Sequence, residues 1–195
     1  MRVFRSVCVF CGSSIGGDPR FAQSARDLGA LLAARGIELV YGGASVGLMG
    51  VVADAALAGG GRVVGVLPRA LADRELAHRG LSELHVVSSM HERKARMAAR
   101  SDAFVALPGG LGTLDELFEI TTWAQLGIHD KPIGVLDVGD YYAHLFSFLE
   151  RAERDGLVRA ARRPALHRAS AAEVLLGAMA AQPPRPDAAP DVPPP

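Results

Sequence analysis

Short apolar runs alternate with longer amphipathic segments along most of this chain, and this alternation limits the folds open to it. Apolar runs bounded by turn residues are typical of buried strands, whereas apolar residues repeating with helical periodicity indicate helices. The pattern predicts strands over residues 3–10, 38–41, 62–67, 84–87, 103–106 and 133–136. It predicts helices over residues 19–35, 48–58, 90–100, 114–126, 141–154 and 171–181. Since apolar strands of this kind are covered on both faces, we expect an α/β fold, a Rossmann-like doubly wound parallel sheet with helices on both faces.

Glycine-bearing loops follow three of the predicted strands, and in such sheets ligands bind beyond the carboxyl ends of the strands. The loops are Cys11-Gly12-Ser13-Ser14 after the first strand, Tyr41-Gly42-Gly43 after the second and Pro108-Gly109-Gly110-Leu111-Gly112-Thr113 after the fifth. Glycine lets the backbone approach a ligand closely, and N–H groups at a following helix start can face a phosphate. None of the loops matches the dinucleotide or P-loop fingerprint. Together they predict a ligand that carries a phosphate.

The segment from Thr113 to Glu116 allows two interpretations. A threonine followed three residues later by glutamate, before an apolar run, is typical of a capping box, with Thr113 as the helix N-cap and Glu116 reaching back to it. Alternatively, Thr113 and nearby N–H groups bind the phosphate while Glu116 faces the sugar. The spacing by itself fits the cap slightly better.

A run of charged residues opens the helix predicted over residues 90–100. His91-Glu92 resembles the start of the zinc motif H-E-x-x-H, but Ala95 holds the place of the second histidine, so the motif fails. One interpretation of Arg93 and Lys94 is a solvated helix face. Cations in the first turns oppose the helix dipole, however, and their presence there indicates an anion nearby.

The length and composition of the chain indicate a single domain followed by a short tail. With 195 residues, 49% of them hydrophobic, the chain is long enough for one well-buried domain, which we place at 1–182. Seven of the twelve prolines fall in 183–195, and we expect this tail to be disordered.

The formal net charge is zero, so we expect a small-molecule ligand and no nucleic acid. Since neither a membrane-spanning run nor a signal peptide is evident, we expect a cytoplasmic protein without membrane contact.

Two cysteines, Cys8 and Cys11, have the spacing of redox motifs. A redox C-x-x-C normally opens a helix, whereas Cys8 lies within the first predicted strand. We therefore interpret both as small apolar residues at the end of a buried strand. Zinc would need further cysteine or histidine ligands at a suitable spacing, and none is evident, so we expect neither a metal nor a cofactor.

At these motifs the sequence resembles the LOG (Lonely Guy) family of cytokinin-activating phosphoribohydrolases, long misnamed lysine decarboxylases. The family pattern P-G-G-x-G-T-x-x-E is present as Pro108 to Glu116, and its companion Arg-Lys pair as Arg93-Lys94. The resemblance runs from about Val7 to about Val158 and also covers the motifs Cys11-Gly12-Ser13-Ser14, Tyr41-Gly42-Gly43, Gly47-Leu48-Met49-Gly50, Ser101-Asp102-Ala103-Phe104 and Thr122 to His129. A pyridoxal phosphate decarboxylase would need a Schiff-base lysine, and the chain offers only Lys94 and Lys131.

The resemblance implies hydrolysis of cytokinin riboside 5′-monophosphates, and in many bacterial members of AMP, to free base and ribose 5-phosphate. It implies that Arg93 and Glu116 are catalytic, that backbone N–H groups bind the phosphate, and that the protein forms a homodimer. The substrate-binding residues that we expect are Ser13, Gly43, Glu75, Lys94, Gly109, Gly110, Leu111, Gly112, Thr113 and Thr121.

These implied roles agree with the chemistry of the reaction. Cleavage of an N-glycosidic bond passes through an oxocarbenium-like sugar, and a carboxylate such as Glu116 can stabilise that cation or take a proton from the attacking water. Arg93 stays charged at any working pH, so it suits stabilisation of the departing base, or a grip on the phosphate or ribose. The alternative function is a non-catalytic nucleotide-binding sensor or carrier on the same fold, because a fold does not fix a function.

Overall fold

The computed structural model describes residues 1–72, 76–158 and 164–184. Its strands are β1 (Ser6–Phe10), β2 (Glu38–Tyr41), β3 (Val63–Pro68), β4 (Glu83–Val87), β5 (Ala103–Ala106), β6 (Ile133–Leu136) and β7 (Leu166–Ala169). Its helices are α1 (Pro19–Ala34), α2 (Gly47–Ala58), the short α3 (Arg69–Ala72), α4 (Met90–Arg100), α5 (Leu111–Leu126), α6 (Ala143–Arg154) and α7 (Ala172–Ala181), and a 3-10 turn covers Val138–Asp140. Within these ranges, no helix combines the length and the apolar character needed to cross a membrane.

The strands of the described ranges form one parallel sheet in the order β4-β3-β2-β1-β5-β6-β7. From β1 the chain builds the sheet outward on one side as far as β4, then crosses back and continues on the other side with β5. Strand β1 therefore lies between β2 and β5, with Val9 opposite Tyr41 on one side and Val105 on the other. The loops after β1 and β5 leave the sheet side by side at this switch in strand order, which opens a crevice between them.

Both faces of the sheet carry an apolar core, because successive side chains of a strand point to opposite faces. Helices α1, α2 and α7 cover one face, where residues such as Val7 and Leu39 are buried. Helices α4, α5 and α6 cover the other face, where Cys8 and Val40 are buried. This double burial explains why the central strands are apolar at nearly every position, and it confirms the predicted doubly wound α/β fold.

The predicted strands and helices are present with small shifts at their ends, but the sequence pattern does not predict β7. Its four residues include a histidine and an arginine, and none of them is fully buried. Among the described residues it is an edge strand that pairs with β6 alone, so it needs no continuous apolar run. The proline-rich tail lies outside the described residues from position 185 onward, so its disorder and the domain boundary at 182 stay predictions.

Candidate active site

A cleft of about 370 Å³ opens at the carboxyl ends of the strands, beside the switch in strand order. All three glycine-bearing loops contribute to its wall, together with the first turns of α4 and α5. The lining residues are Cys11, Gly12, Ser13, Gly42, Ala44, Val46, Met49, Leu67, Leu71, Leu76, Met90, Arg93, Gly110, Leu111, Gly112, Thr113, Asp115 and Glu116. Its size and its mixture of apolar walls with a few polar groups are typical of a small-molecule site.

Helix α5 begins inside the glycine motif that follows β5. Gly110 is its N-cap, with φ −95° and ψ −150°, and Leu111, Gly112 and Thr113 are its first residues. The N–H of Leu114 donates to the Gly110 carbonyl (3.1 Å) in the first hydrogen bond of the helix, so the N–H groups of Leu111, Gly112 and Thr113 have no acceptor within it. These residues line the cleft at the positive end of the helix dipole. A phosphate is a ligand that such a helix start favours.

The capping-box interpretation of Thr113 is wrong. Thr113 is the third residue of α5 rather than its N-cap, because the helix begins three residues earlier than predicted, and no side-chain hydrogen bond caps it. Glu116 is buried and faces α4 instead of the helix start. A side-chain cap is found on α4, where the Ser89 hydroxyl accepts from the N–H of Glu92 (3.1 Å).

Arg93 of α4 and Glu116 of α5 form a buried ion pair in the cleft. Nη1 of Arg93 lies 3.1 Å from Oε1 of Glu116, and their side chains are 10% and 8% exposed. The guanidinium is also held by β3, since its Nε donates to the Val66 carbonyl (3.1 Å). Gly42 after β2 leaves the space for it, because a Cβ at Gly42 would lie 2.2 Å from Nη2 of Arg93. Three separate elements therefore fix the position of the guanidinium.

The environment of Glu116 shifts its pKa in opposing directions. Burial raises the pKa of the Glu116 carboxyl above its ordinary value, because desolvation penalises the charged form. The Arg93 guanidinium lowers it, Asp115 raises it, Lys94 lowers it and Glu119 raises it, in decreasing order of size. A desolvated carboxyl with a specific cationic partner in a cleft is typical of a catalytic group.

The anions close to Lys94 come from the protein itself. Its Nζ lies 3.2 Å from Oδ2 of Asp115 and 3.0 Å from Oε1 of Glu119, and the Lys94 side chain is 15% exposed. The lysine thus joins α4 to α5 next to the Arg93–Glu116 pair. It is not among the residues that line the cleft, so its predicted contact with substrate stays a prediction.

The other predicted residues of the β1 and β2 loops differ in their access to the cleft. Ser13 lines it. Gly43 has a left-handed backbone (φ +79°) and packs on β3, where an added Cβ would meet Leu67 at 3.3 Å. Its neighbour Gly42 faces the cleft instead. The Tyr41-Gly42-Gly43 motif predicts that a glycine of this loop reaches the cleft, but only the packing of the loop shows that it is Gly42 and not Gly43.

Two further predicted residues belong to other parts of the chain. The Thr121 hydroxyl donates to the Leu117 carbonyl within α5 (2.6 Å), and Thr121 is not part of the cleft lining. Glu75 lies outside the described residues, although Leu76 next to it lines the cleft. The roles of Thr121 and Glu75 stay predictions.

Gly109 and Gly112 of the same motif differ in the space around them, which gives a matched pair of stability predictions. A Cβ at Gly109 would lie 2.1 Å from the Thr113 hydroxyl and 2.9 Å from the Gly12 nitrogen, whereas nothing lies within 4 Å of a Cβ at Gly112. Gly109→Ala should therefore lower the free energy of unfolding by about 1–3 kcal/mol through overpacking. Gly112→Ala should leave it unchanged or raise it by up to about 1 kcal/mol, since alanine favours the helix.

Urea unfolding of the wild type and of both variants measures this difference. Equal unfolding free energies for Gly109→Ala and Gly112→Ala would contradict the packing of the motif described here.

Both cysteines are free and buried, with Cys8 inside β1 and Cys11 at the cleft wall. Burial raises the pKa of each thiol, so neither has the low pKa of a reactive cysteine. They pack as the strand interpretation predicts. Among the described residues, no group of three or more histidine, cysteine or acidic side chains is placed to hold a metal ion.

The fold and the site define a doubly wound α/β protein with a cleft at the switch in strand order, into which the start of α5 and a buried arginine–glutamate pair are directed. The family model described as "Possible lysine decarboxylase" matches residues 49–179. The cytokinin riboside 5′-monophosphate phosphoribohydrolase LOG3 of Arabidopsis thaliana is 54% identical over 155 residues, covering 80% of this chain and 72% of that protein. The chain belongs to the LOG family, to which this family model also applies.

Two rice relatives extend this comparison. The probable cytokinin riboside 5′-monophosphate phosphoribohydrolase LOGL1 of Oryza sativa subsp. japonica is 50% identical over 176 residues, which are 90% of this chain and 79% of that protein. The probable enzyme LOGL2 of the same organism is 55% identical over 156 residues. That match covers 80% of this chain but 64% of LOGL2, so the chain spans less than two thirds of that relative.

Solved structures with the same fold include proteins described as binding or carrying the molybdenum cofactor. The molybdenum cofactor binding protein from Rippkaea orientalis has a TM-score of 0.66 and 22% identity, covering 91% of this chain and 96% of that chain. The Moco carrier protein from Chlamydomonas reinhardtii has a TM-score of 0.66 and 22% identity, covering 89% of this chain and 93% of that chain. At this identity the likeness concerns the fold alone.

Proposed function

We propose that this protein hydrolyses the N-glycosidic bond of cytokinin riboside 5′-monophosphates, of AMP, or of both. Water adds to C1′ of the ribose, the bond from C1′ to the base nitrogen breaks, and the base leaves with a proton. The products are the free base and ribose 5-phosphate. The names of the relatives support this reaction, and the buried Arg93–Glu116 pair beside the α5 N-terminus is the observation that carries it.

Different groups along the cleft can bind the phosphate and act on the sugar. The phosphate is assigned to the N–H groups of Leu111, Gly112 and Thr113 at the start of α5, where the helix dipole favours an anion. Glu116 lies one turn further along the same helix, so it is directed at the sugar that carries the phosphate. Its carboxylate stabilises the oxocarbenium-like sugar or takes a proton from the attacking water.

The role assigned to Arg93 follows from its permanent charge. A guanidinium does not release a proton in a protein, so it is unsuited to proton donation and suited to charge stabilisation. It lowers the pKa of Glu116 and so keeps more of that carboxyl ionised, and it offers further N–H donors to a charged substrate. The hydrogen bond to Val66 fixes the guanidinium before substrate binds, which is the form of preorganisation that favours catalysis.

The lysines of the chain argue against an amino-acid decarboxylase. Lys94 is paired with Asp115 and Glu119, and Lys131 donates to the Ala98 carbonyl (3.1 Å). Neither lysine lines the cleft, whereas pyridoxal phosphate chemistry requires a lysine at the reacting centre.

Incubation of the purified protein with AMP and with isopentenyladenosine 5′-monophosphate tests the proposal. We expect adenine or isopentenyladenine to appear by chromatography together with an equal amount of ribose 5-phosphate. Adenosine is the matched control substrate, and its base should be released far more slowly because the phosphate contacts are missing. Tight binding of both nucleotides without release of base would overturn the proposal and favour the non-catalytic carrier.

The assembly that we propose is a homodimer, on the strength of the family resemblance, and analytical ultracentrifugation of the full chain measures it. The absence of a nucleic-acid partner and the cytoplasmic location stay predictions from the sequence.

A further inference from the structure

Every carbonyl of residues 107–110 accepts a hydrogen bond, and three of the four donors lie far away in the chain. The Leu107 carbonyl accepts from the Tyr142 hydroxyl (2.7 Å) and the Gly109 carbonyl from the Tyr141 hydroxyl (2.7 Å). The Pro108 carbonyl accepts from the Gly12 N–H (3.1 Å), and the Gly110 carbonyl from the Leu114 N–H (3.1 Å). Two of these four donors are tyrosines that follow one another in the chain, after β6.

These hydrogen bonds fix the direction in which the peptide groups of the segment point. A peptide unit is planar and trans, so its carbonyl and its N–H point in opposite directions. Binding of the Gly109 carbonyl by Tyr141 therefore directs the Gly110 N–H the other way. Gly110 lines the cleft, whereas Tyr141 lines a neighbouring groove that shares Gly110 with it. The Tyr141 hydroxyl thus binds the segment from the neighbouring groove and not from the cleft.

The connection between β6 and α6 is built to place this tyrosine. Gly139 (φ 62°) and Asp140 (φ 58°) both have left-handed backbones, which turn the chain back towards the loop after β5. The buried Asp137 carboxylate accepts from the Tyr142 N–H (2.8 Å) and holds the start of α6. The Tyr141 ring packs edge-on against Phe21, with 5.3 Å between the ring centres. A strained turn, a buried carboxylate and an aromatic contact together fix the hydroxyl.

We propose that Tyr141 is a positioning residue that orients the Gly109–Gly110 peptide so that its N–H faces the phosphate of the substrate. The proposal rests on the proposed function in that it takes residues 109–113 as the phosphate site. It assigns Tyr141 to affinity for the phosphate group, and not to the bond-breaking step.

Direct binding of two ligands to Tyr141→Phe tests this role. Ribose 5-phosphate carries the phosphate and has no base to lose, whereas adenosine lacks the phosphate and should be cleaved only slowly, so isothermal titration calorimetry can measure the binding of both. Loss of one hydrogen bond that orients the loop should raise the Kd for ribose 5-phosphate by about 3- to 10-fold. The Kd for adenosine should be unchanged. Since Tyr141 is 45% exposed and the substitution removes one oxygen, we expect the melting temperature to stay close to that of the wild type.

Ser147→Ala is the matched control variant. The Ser147 hydroxyl also donates to a backbone carbonyl, that of Ala143 (3.1 Å), but within α6 and away from the phosphate segment. Loss of the Ser147 hydroxyl should leave the Kd values for ribose 5-phosphate and for adenosine unchanged.

The outcomes separate this inference from the proposed function. Unchanged binding of ribose 5-phosphate by Tyr141→Phe, in a protein whose wild type binds it and hydrolyses AMP, would overturn the positioning role alone. Equal weakening of adenosine and ribose 5-phosphate would overturn it too, because Tyr141 would then contact the nucleoside. Selective weakening for ribose 5-phosphate in a protein that releases no base would support the role and overturn the hydrolysis. If the wild type has no affinity for ribose 5-phosphate, the assignment of residues 109–113 as the phosphate site fails and the positioning role with it, whereas the hydrolysis is still decided by the release of base from AMP.

Discussion

Replacing Glu116 by glutamine should lower kcat for AMP by about 100- to 10,000-fold, the range usual for loss of an acid–base or charge-stabilising group. Glutamine has nearly the same shape, so the α4–α5 contact keeps its packing, but it cannot carry negative charge. The oxocarbenium-like sugar loses its stabilising carboxylate, or the attacking water loses its base. KM should change little, because the phosphate site that we propose lies at the start of α5 and is not altered by the substitution. Steady-state kinetics of base release measure both constants.

Glu119→Gln is the control for this variant. Glu119 lies one turn further along α5 and pairs with Lys94, so its loss removes the same charge from the same helix without touching the cleft lining. Its turnover should stay close to that of the wild type. If Glu116→Gln were as active as Glu119→Gln, Glu116 would be a structural partner of Arg93 and not a catalytic group.

Replacing Arg93 by alanine should cost about 100- to 1,000-fold in kcat, as removal of one preorganised donor does elsewhere. It should also change the pH dependence, because Arg93 is the main group that lowers the pKa of Glu116. Without it, desolvation acts with less opposition and the pKa of Glu116 rises further. A reaction that needs the carboxylate is lost as pH falls through that pKa, so the acid limb of the pH–kcat profile should move to higher pH.

Arg93→Lys separates the charge from the shape of the guanidinium. Lysine restores a cation near Glu116 but not the fork of donors that binds Val66 and Glu116 together. Its acid limb should return towards that of the wild type while kcat stays low. An acid limb that does not move in Arg93→Ala would contradict the ion pair as the source of the pKa balance.

The free energy of unfolding of Arg93→Ala gives an independent check of the ion pair, because the direction of its pH dependence follows from the raised pKa of Glu116. Removing one partner of a buried pair costs about 3–5 kcal/mol when the other stays charged. Since the pKa of Glu116 is raised in the folded state, the folded protein binds more protons than the unfolded chain between the two pKa values, and stability falls as pH rises through that window. The destabilisation by Arg93→Ala should therefore be larger at neutral pH than in acid. In the double variant Arg93→Ala, Glu116→Gln this pH dependence should disappear.

The amino-acid sequence by itself determined the layers of this protein and the edge of the sheet that holds the site. Strands such as β2 and β5 are recognisable because they are buried on both faces, and this demands apolar residues at nearly every position of a short run. The glycine loops at the strand ends are recognisable for a similarly local reason, since close backbone approach leaves few alternatives to glycine. The weakly buried edge strand β7 has no such signature.

Only the tertiary structure decided which contacts the residues of the cleft make. The spacing of Thr113 and Glu116 fits a capping box, but the helix starts at Leu111 and the carboxylate of Glu116 pairs with Arg93 on another helix. The choice of Gly42 over Gly43 as the residue beside that guanidinium likewise depends on packing against α4 and β3. These contacts join residues far apart in the chain, and their energies depend on burial and on the direction of side chains. Burial and side-chain direction cannot be read from local periodicity and spacing, which is why these predicted a glycine segment at the edge of the sheet but not the partner of its glutamate.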